Sequence, residues 1–189
     1  MKRHKILFVT GNPGKAKELE DQLRGRYEVD HEGLDLKEIQ SLDGETVGKH
    51  KLSQAVELIG NETPYDFLLV DDTSLEIQAL NGLPGTLTKW FLEKLGPEGI
   101  YRIASDSPAY AICLICVFDK KETRTLHFFG EIQGSIVAPR GEFGFGWDSI
   151  FKPDASRKTY AEMLTREKQT KSHRTAAINK LMQFGLGLS

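Results

Sequence analysis

The sequence has few of the features that mark membrane, disulfide-rich or polynucleotide-binding proteins. Its 189 residues include only two cysteines, too few for a disulfide scaffold. No apolar run approaches the roughly 20 residues that span a bilayer, and the first apolar run is too short for a signal peptide. Charges nearly balance at a net −2, which gives no overall attraction to a polynucleotide. We expect a cytoplasmic protein with a single domain, residues 1–189, that binds neither membranes nor nucleic acid polymers.

The two cysteines, Cys113 and Cys116, have the C-x-x-C spacing that is found in redox and metal sites. The surrounding residues are typical of a β-strand. Positions three apart on a strand point to opposite faces, so the sulfurs could not readily share a ligand or a bond. We predict buried core thiols, with a functional pair as the alternative.

An apolar segment at residues 67–70 is followed directly by two carboxylates, Asp71 and Asp72. The apolar residues predict a strand buried on both faces, which we expect to end at the two acids. Adjacent carboxylates repel each other when they are held close, unless a cation or a proton lies between them. The pattern indicates a functional site, with a solvated turn as the alternative.

A second chemical pattern lies in the glycine-rich residues 11–15, between a predicted strand at residues 5–10 and a predicted helix at residues 16–23. Backbone N–H groups at such a helix start, together with the charge of Lys15, would form an anion site. The spacing of the glycines is too short for a Walker A motif. An ordinary connecting turn is the alternative.

The C-terminal part combines an aromatic loop with a basic segment. Residues 141–148 read GEFGFGWD, a pliable loop that could stack a planar base, or else a turn held by buried aromatic side chains. Ser172 is the predicted N-cap of the last helix, which places His173 and Arg174 in its first turn. Basic residues there oppose the helix dipole and indicate an anionic or oxygen-rich ligand.

The remaining patterns alternate between strands and helices and predict an α/β fold. Trp90 is expected in the core. The predicted strands are residues 27–29, 74–80, 110–119, 125–132 and 134–138, the predicted helices are residues 45–59, 86–95, 98–104, 159–163 and 176–184, and residues 34–40 alternate apolar with charged side chains.

Four ordered blocks together resemble one family. TGNPGK at residues 10–15, VDDTSLEIQALNGLPG at residues 70–85, FGWDSIF at residues 145–151, and TYAEM with KSHR near the end are similar to the inosine triphosphate pyrophosphatases, or Ham1-type nucleotide pyrophosphatases. The resemblance covers nearly the whole chain and is closer to the eukaryotic branch.

The resemblance implies an elongated mixed β-sheet flanked by helices, with two lobes around a central nucleotide cleft, in a cytoplasmic homodimer. It implies a nucleoside triphosphate diphosphatase that cleanses the nucleotide pool. The substrates would be ITP, dITP and XTP, hydrolysed to the monophosphate and pyrophosphate with Mg²⁺, or with Mn²⁺ as a substitute. The alternatives are a related pyrophosphatase for other modified nucleotides and a non-catalytic nucleotide-binding protein.

The resemblance also assigns roles to residues. Asp72 would be the general base and Lys15 a second catalytic residue, while Glu38 and Asp71 would bind the metal. Substrate binding would involve phosphate-loop and cationic residues, a base-binding loop and groups that close over the base. These are Thr10, Gly11, Asn12, Lys15, Lys51, Asp72, Thr73, Lys89, Phe145, Gly146, Trp147, Asp148, Lys168, His173 and Arg174.

Overall fold

The computed structural model describes residues 3–60 and 62–187. Its strands are β1 (His4–Val9), β2 (Tyr27–Glu32), β3 (Phe67–Ile77), β4 (Pro84–Gly85), β5 (Pro108–Asp119), β6 (Arg124–Ile136) and β7 (Phe151–Pro153). Its α-helices are α1 (Pro13–Leu23), α2 (Gly44–Ile59), α3 (Thr88–Ala104), α4 (Thr165–Lys168) and α5 (His173–Phe184), and two 3₁₀ helices lie at Gln78–Leu80 and Tyr160–Glu162.

The strands form one mixed sheet in the order β2-β1-β3-β5-β6-β7, and β4 pairs with β3. Strand β1 is parallel to both β2 and β3, whereas β4 is antiparallel to β3 and β7 is antiparallel to β6. The expected α/β fold with a mixed sheet and flanking helices is confirmed. Strands β4 and β7 have no counterpart among the predicted strands. None of the helices in the described residues has the length and apolar character needed to cross a membrane.

The chain divides into two compact units. Unit 1 comprises Met1–Asp72, Leu114–Gly130 and Ala177–Ser189, and unit 2 comprises Thr73–Cys113 and Glu131–Ala176. Each has a buried apolar cluster. The cluster of unit 1 is Leu7, Val9, Leu52, Ala55, Leu68, Val70, Leu114 and Cys116, and that of unit 2 includes Leu75, Ile77, Ile100, Trp147, Phe151 and Tyr160. The single domain and the nucleotide cleft remain predictions.

The helix boundaries follow the capping residues. Asp43 caps α2, because its carboxylate accepts hydrogen bonds from Glu45 N at 3.2 Å and Thr46 N at 3.1 Å. Gly60 ends the helix with a positive φ of 71°, which glycine adopts readily. The prediction of a helix over residues 45–59 that ends at Gly60 is confirmed.

The predicted end of the strand at Asp71 and Asp72 was wrong, because β3 continues through both residues to Ile77. Two features support the longer strand. Leu75 and Ile77 are buried in the core of unit 2, and Leu75 and Glu76 pair with β4. The two carboxylates therefore lie within a strand, which rules out the solvated turn.

Helix α3 corrects the prediction that Trp90 is a core residue. The helix kinks at Gly96, where φ is 62°, between the two predicted helices at residues 86–95 and 98–104. Trp90 is 45% exposed, whereas Ile100 is fully buried. The side chain of Trp90 instead lies under Lys89, with the ammonium nitrogen 5.5 Å from its ring centroid. The face of α3 that packs inward excludes Trp90.

Two further segments test the sequence patterns. Residues 34–40 alternate between apolar and charged side chains but adopt no regular secondary structure.

Cys113 and Cys116 both lie buried in β5, as predicted. Burial raises the pKa of the Cys116 thiol to about 12, so this thiol stays protonated and unreactive at neutral pH.

Candidate active site

Strand β3 presents its two carboxylates to two different lysines. Lys15 Nζ lies 3.0 Å from Asp71 Oδ1, and Lys51 Nζ lies 3.4 Å from Asp72 Oδ1. Successive side chains of a strand point to opposite faces, which explains why each acid has its own cation. The repulsion expected between adjacent carboxylates is relieved by this separation and by the two lysines.

Lys51 is the centre of one charged cluster. Its Nζ lies 3.3 Å from Glu38 Oε1, 3.4 Å from Asp72 Oδ1 and 3.2 Å from the main-chain oxygen of Asp71. Burial tends to lower the pKa of this lysine, but the nearby carboxylates, Asp72 first, outweigh burial and raise it. Lys51 is therefore held charged. The structure places the predicted residues Glu38, Lys51 and Asp72 together.

Asp72 has an environment that suits a proton acceptor. Burial raises the pKa of its carboxyl group above the ordinary value, against the opposing attraction of Lys51 and Lys15. A carboxylate whose pKa lies closer to neutral pH is a more effective general base than a fully solvated one. The position of Asp72 is thus compatible with activation of water.

The side chains of the glycine-rich loop before α1 form hydrogen bonds within the loop and with the first turn of the helix. Asn12 is the N-cap, because its Oδ1 accepts hydrogen bonds from Gly14 N at 2.9 Å and Lys15 N at 3.2 Å. Thr10 Oγ1 accepts from Asn12 N at 3.2 Å. The anion site was predicted from backbone N–H groups at this helix start, and those of Gly14 and Lys15 already donate to the cap. What faces open space is Gly11, around which a side chain would meet no atom within 4 Å.

The two predicted metal ligands, Glu38 and Asp71, contact different lysines. No group of three or more His, Cys, Asp or Glu side chains arranged to hold a metal occurs in residues 3–60 and 62–187. Glu38 shares the Lys51 ammonium with Asp72, whereas the carboxylate of Asp71 contacts Lys15. Mg²⁺ commonly takes only one or two protein carboxylates and completes its shell with water and substrate phosphates. This donor chemistry fits Mg²⁺.

Unit 2 contains a buried ion pair beside the aromatic loop. Lys168 Nζ lies 2.7 Å from Asp148 Oδ2, and the same oxygen accepts a hydrogen bond from Phe145 N at 2.9 Å. The Lys168 ammonium also lies 4.7 Å from the ring centroid of Phe145. Gly146 completes the turn with a φ of 63°, a conformation that favours glycine. Phe145 is thus fixed by Asp148.

Trp147 is buried in the core of unit 2 and is not displayed by the loop. Its ring makes an edge contact with Phe151 at 5.4 Å and a tilted contact with His173 at 5.2 Å between centroids. Phe143, in contrast, is 56% exposed. The turn held by a buried aromatic side chain is correct for Trp147, whereas Phe145 is partly exposed.

The start of α5 is built as predicted. Ser172 caps the helix, because its Oγ accepts a hydrogen bond from Thr175 N at 3.1 Å. His173 and Arg174 follow in the first turn and are both buried. Arg174 donates from Nη2 to Thr73 Oγ1 at 3.0 Å. A buried arginine in this position presents a fixed set of donors.

Tyr160 packs against His173, and reasoning from residue types did not identify it. Its ring stacks with that of His173 at 5.9 Å between centroids, and its hydroxyl donates to the main-chain oxygen of Lys171 at 3.2 Å. The TYAEM block was the available signal in the sequence for Tyr160.

Lys89, also predicted to bind substrate, lies on α3 over the ring of Trp90.

Comparisons with known proteins agree with the family resemblance of the four sequence blocks. The model of the Ham1 family matches residues 6–184. Inosine triphosphate pyrophosphatase from Schizosaccharomyces pombe is 41% identical over 95% of this chain and 94% of its own length. Inosine triphosphate pyrophosphatase 2 from Trypanosoma cruzi is also 41% identical, over 93% of this chain and 89% of its own length.

Solved structures give the same result for the fold. The Ham1 protein of Staphylococcus aureus has a TM-score of 0.73 at 28% identity, covering 95% of this chain and 97% of that protein. A nucleoside-triphosphatase, or dITP/XTP pyrophosphatase, from Mycobacterium abscessus has a TM-score of 0.67 at 27% identity, covering 94% of this chain and 98% of that protein.

Proposed function

The chain belongs to the Ham1 family, and from this we propose that it hydrolyses deaminated purine nucleoside triphosphates to the monophosphate and pyrophosphate. ITP, dITP and XTP are the proposed substrates, because relatives similar over nearly their whole length are inosine triphosphate and dITP/XTP pyrophosphatases. The observation that carries the proposal is the pairing of Asp71 with Lys15 and of Asp72 with Lys51 on consecutive residues of β3.

The proposed reaction is attack of water on the α-phosphorus with pyrophosphate as the leaving group. Negative charge develops on the phosphate oxygens, and fixed cations in a partly buried site stabilise it. Lys15 and Lys51 supply that charge, with 17% and 13% of their side chains exposed. If Glu38 and Asp71 hold the metal ion, as the resemblance implies, Asp72 orients the water and accepts its proton. Binding of the phosphates replaces part of the contact that each lysine makes with an acid.

We propose Mg²⁺, with Mn²⁺ as a substitute, as the cofactor. When bound, such an ion neutralises charge on the phosphates and polarises their oxygens. The resemblance assigns Glu38 and Asp71 as its ligands. The geometry favours a second assignment, Glu38 with Asp72, because both carboxylates surround one cation, Lys51 Nζ. In that case Asp71 becomes the candidate base.

Recognition of the base is assigned to unit 2. Hypoxanthine carries an acceptor oxygen at C6 where adenine carries an amino donor, so groups that only donate hydrogen bonds select against adenine. Lys168 and Arg174 are such groups, and His173 donates in a suitable protonation state. Asp148 fixes Lys168, and Phe145 offers its ring as a stacking surface. Trp147 supports this group from the core.

The remaining assignments complete the nucleotide site. We propose that Thr10, Gly11 and Asn12 line the phosphates, that Thr73 fixes Arg174, and that Lys89 adds positive charge. We also propose that the protein is cytoplasmic and forms a homodimer, as the resemblance implies.

The experiment that tests the function is release of pyrophosphate from ITP, GTP, ATP and dUTP, with and without Mg²⁺. We expect Mg²⁺-dependent release that is much faster from ITP than from the other three. Equal rates from ITP and GTP would overturn the specificity. Preferential release from dUTP would favour a pyrophosphatase for other nucleotides, and binding of ITP without release would indicate a non-catalytic protein.

A further inference from the structure

Gly48 lies inside α2 at a point where the helix touches the neighbouring strand β5. A Cβ atom built on Gly48 would lie 2.7 Å from Cys116 Sγ and 3.0 Å from Leu114 Cδ2. Favourable contacts between such atoms lie at about 3.5–4.0 Å. Even alanine therefore does not fit without a shift of the helix or of the strand side chains.

Glycine at this position is costly for the helix itself. In a helix interior glycine is less favourable than alanine, so Gly48 weakens α2 locally. The partners have little room to yield, because Cys116 is fully buried and Leu114 is 7% exposed, both in the apolar cluster of unit 1. Glycine at position 48 therefore permits the close approach of α2 to β5.

The close approach has a consequence one turn along the helix. Lys51 follows Gly48 by three positions, which places the two residues next to each other on the helix surface. The contacts of Lys51 Nζ with Glu38 at 3.3 Å and with Asp72 at 3.4 Å are already near the outer limit for hydrogen bonds. A shift of α2 away from β5 by a few tenths of an ångström would break them.

We propose that Gly48 is a positioning residue, which lets α2 approach β5 closely enough to hold Lys51 against Asp72 and Glu38. The proposal rests on the proposed function, because the contribution of Lys51 to turnover is part of it. It concerns the group that stabilises developing charge, so it predicts an effect on the chemical step. Substrate affinity depends on other groups as well and should change less.

The first test is the variant Gly48→Ala. We expect its kcat for ITP to fall about tenfold, since small misplacements of catalytic groups cost this much or more, while its KM changes less than about twofold. Cys116→Ala alone should have normal activity, and in the double variant Gly48→Ala/Cys116→Ala kcat should recover, because the crowded sulfur is gone. Val56→Ala, a packing change on the same helix, serves as the matched control and should leave kcat unchanged.

The second test asks whether the effect passes through Lys51. In a Lys51→Ala background, adding Gly48→Ala should lower kcat no further, because there is no ammonium left to displace. An undiminished additional loss in that background would overturn the proposal. So would wild-type kcat in Gly48→Ala, or a kcat in the Gly48→Ala/Cys116→Ala variant no higher than in Gly48→Ala.

A crystal structure of Gly48→Ala provides a readout that does not require activity. The proposal predicts that Lys51 Nζ moves out of hydrogen-bond reach of Asp72 Oδ1, and an unchanged position would overturn it. If Gly48→Ala does not fold, Cys116→Val crowds the same contact from the strand side and should show the same displacement. Absence of pyrophosphate release by the wild-type protein would instead overturn the proposed function and leave this structural test standing.

Discussion

Lys168 Nζ lies 2.7 Å from Asp148 Oδ2, and the two side chains are 8% and 5% exposed. Because Asp148 Oδ2 also accepts a hydrogen bond from Phe145 N, this carboxylate connects the aromatic loop, residues 141–148, to the segment that precedes α5. The desolvation of two buried charges offsets much of their attraction, so a buried ion pair adds little net stability, but loss of one partner leaves an uncompensated charge. Its removal from one side is the informative experiment.

Breaking this pair from either side should destabilise the fold strongly. We expect Lys168→Met and Asp148→Asn each to lower the free energy of unfolding by roughly 3–5 kcal/mol, because each change leaves a buried charge without its counter-charge. The double variant should lose much less than both single losses together. Urea unfolding measures these values through the midpoint at constant m.

The matched control is Lys158→Met. Lys158 Nζ lies 2.8 Å from Glu167 Oε2, but its side chain is 50% exposed, so solvent screens the pair. The urea midpoint of this variant should stay close to that of the wild type. A loss as large as that of Lys168→Met would show that burial of the Lys168 pair is not the cause.

The N-cap of α2 should make stability depend on pH. Hydrogen bonds from Thr46 and Glu45 lower the pKa of Asp43 below its ordinary value. A lowered pKa means that the ionised cap stabilises the fold above the titration range of an unfolded aspartate, and that this contribution disappears as the pH falls through the folded pKa. We expect Asp43→Ala to lower the melting temperature at neutral pH and to approach the wild type in acid.

Thermal unfolding of wild type and Asp43→Ala between neutral pH and about pH 3 measures this dependence. Asp43→Asn is the control, because asparagine caps a helix without titrating, so its difference from Asp43→Ala should not vary with pH. A constant difference between wild type and Asp43→Ala across the range would contradict the role of the charge.

The sequence predicts most elements of this fold because local signals decide them. Asp43 and Gly60 bracket α2, and Ser172 begins α5, all through side chains or backbone freedom that act within one turn. Strand β3 shows the limit of such reasoning. Its polar residues at positions 71–74 resemble a turn, and the pairing with β4 that extends the strand depends on residues eight or more positions away.

The candidate site was predicted as a set of residues but not as an arrangement. Lys15 and Asp71 are 56 positions apart, and Lys51 and Asp72 are 21 apart. No spacing rule links such pairs, because the sheet and the helices beside it bring them together. The prediction that Trp90 is a core residue was wrong for a related reason. Residue type favours burial, but its place on the exposed side of α3 is set by tertiary packing.

Arg174 should discriminate between purine bases. It is buried and hydrogen-bonded to Thr73, so its donors are fixed in direction. We expect Arg174→Ala to lower kcat/KM for ITP about tenfold or more relative to ATP, since a lost donor to the C6 oxygen affects only hypoxanthine. Steady-state kinetics on both nucleotides give this ratio.

Lys171→Ala is the matched control for Arg174→Ala. Lys171 lies in the same basic segment, but its side chain is 40% exposed and its Nζ lies 3.5 Å from Glu167 Oε1. The ratio of ITP to ATP should therefore be unchanged in this variant. An unchanged ratio in Arg174→Ala as well would remove Arg174 from base recognition.

The two assignments of the metal ligands predict opposite results for Asp71 and Asp72. Glu38→Gln should weaken binding of Mn²⁺, the spectroscopic probe, under either assignment. If Glu38 and Asp71 hold the ion, Asp71→Asn weakens Mn²⁺ binding, while Asp72→Asn keeps it and loses turnover by about 10² or more. If Glu38 and Asp72 hold the ion, Asp72→Asn weakens Mn²⁺ binding, while Asp71→Asn keeps it and loses turnover.

Titration of Mn²⁺ followed by electron paramagnetic resonance, in the presence of a non-hydrolysable ITP analogue, separates the two assignments, with Glu45→Gln as a control outside the cluster. The shared position of Glu38 and Asp72 at Lys51 Nζ leads us to expect the greater loss of Mn²⁺ affinity in Asp72→Asn. Asp71, which contacts Lys15, is then the candidate base, so Asp71→Asn should keep Mn²⁺ and lose turnover. Equal Mn²⁺ affinity in both variants and the wild type would exclude both acids as ligands, because neutralising a carboxylate ligand of a hard cation cannot leave its affinity intact.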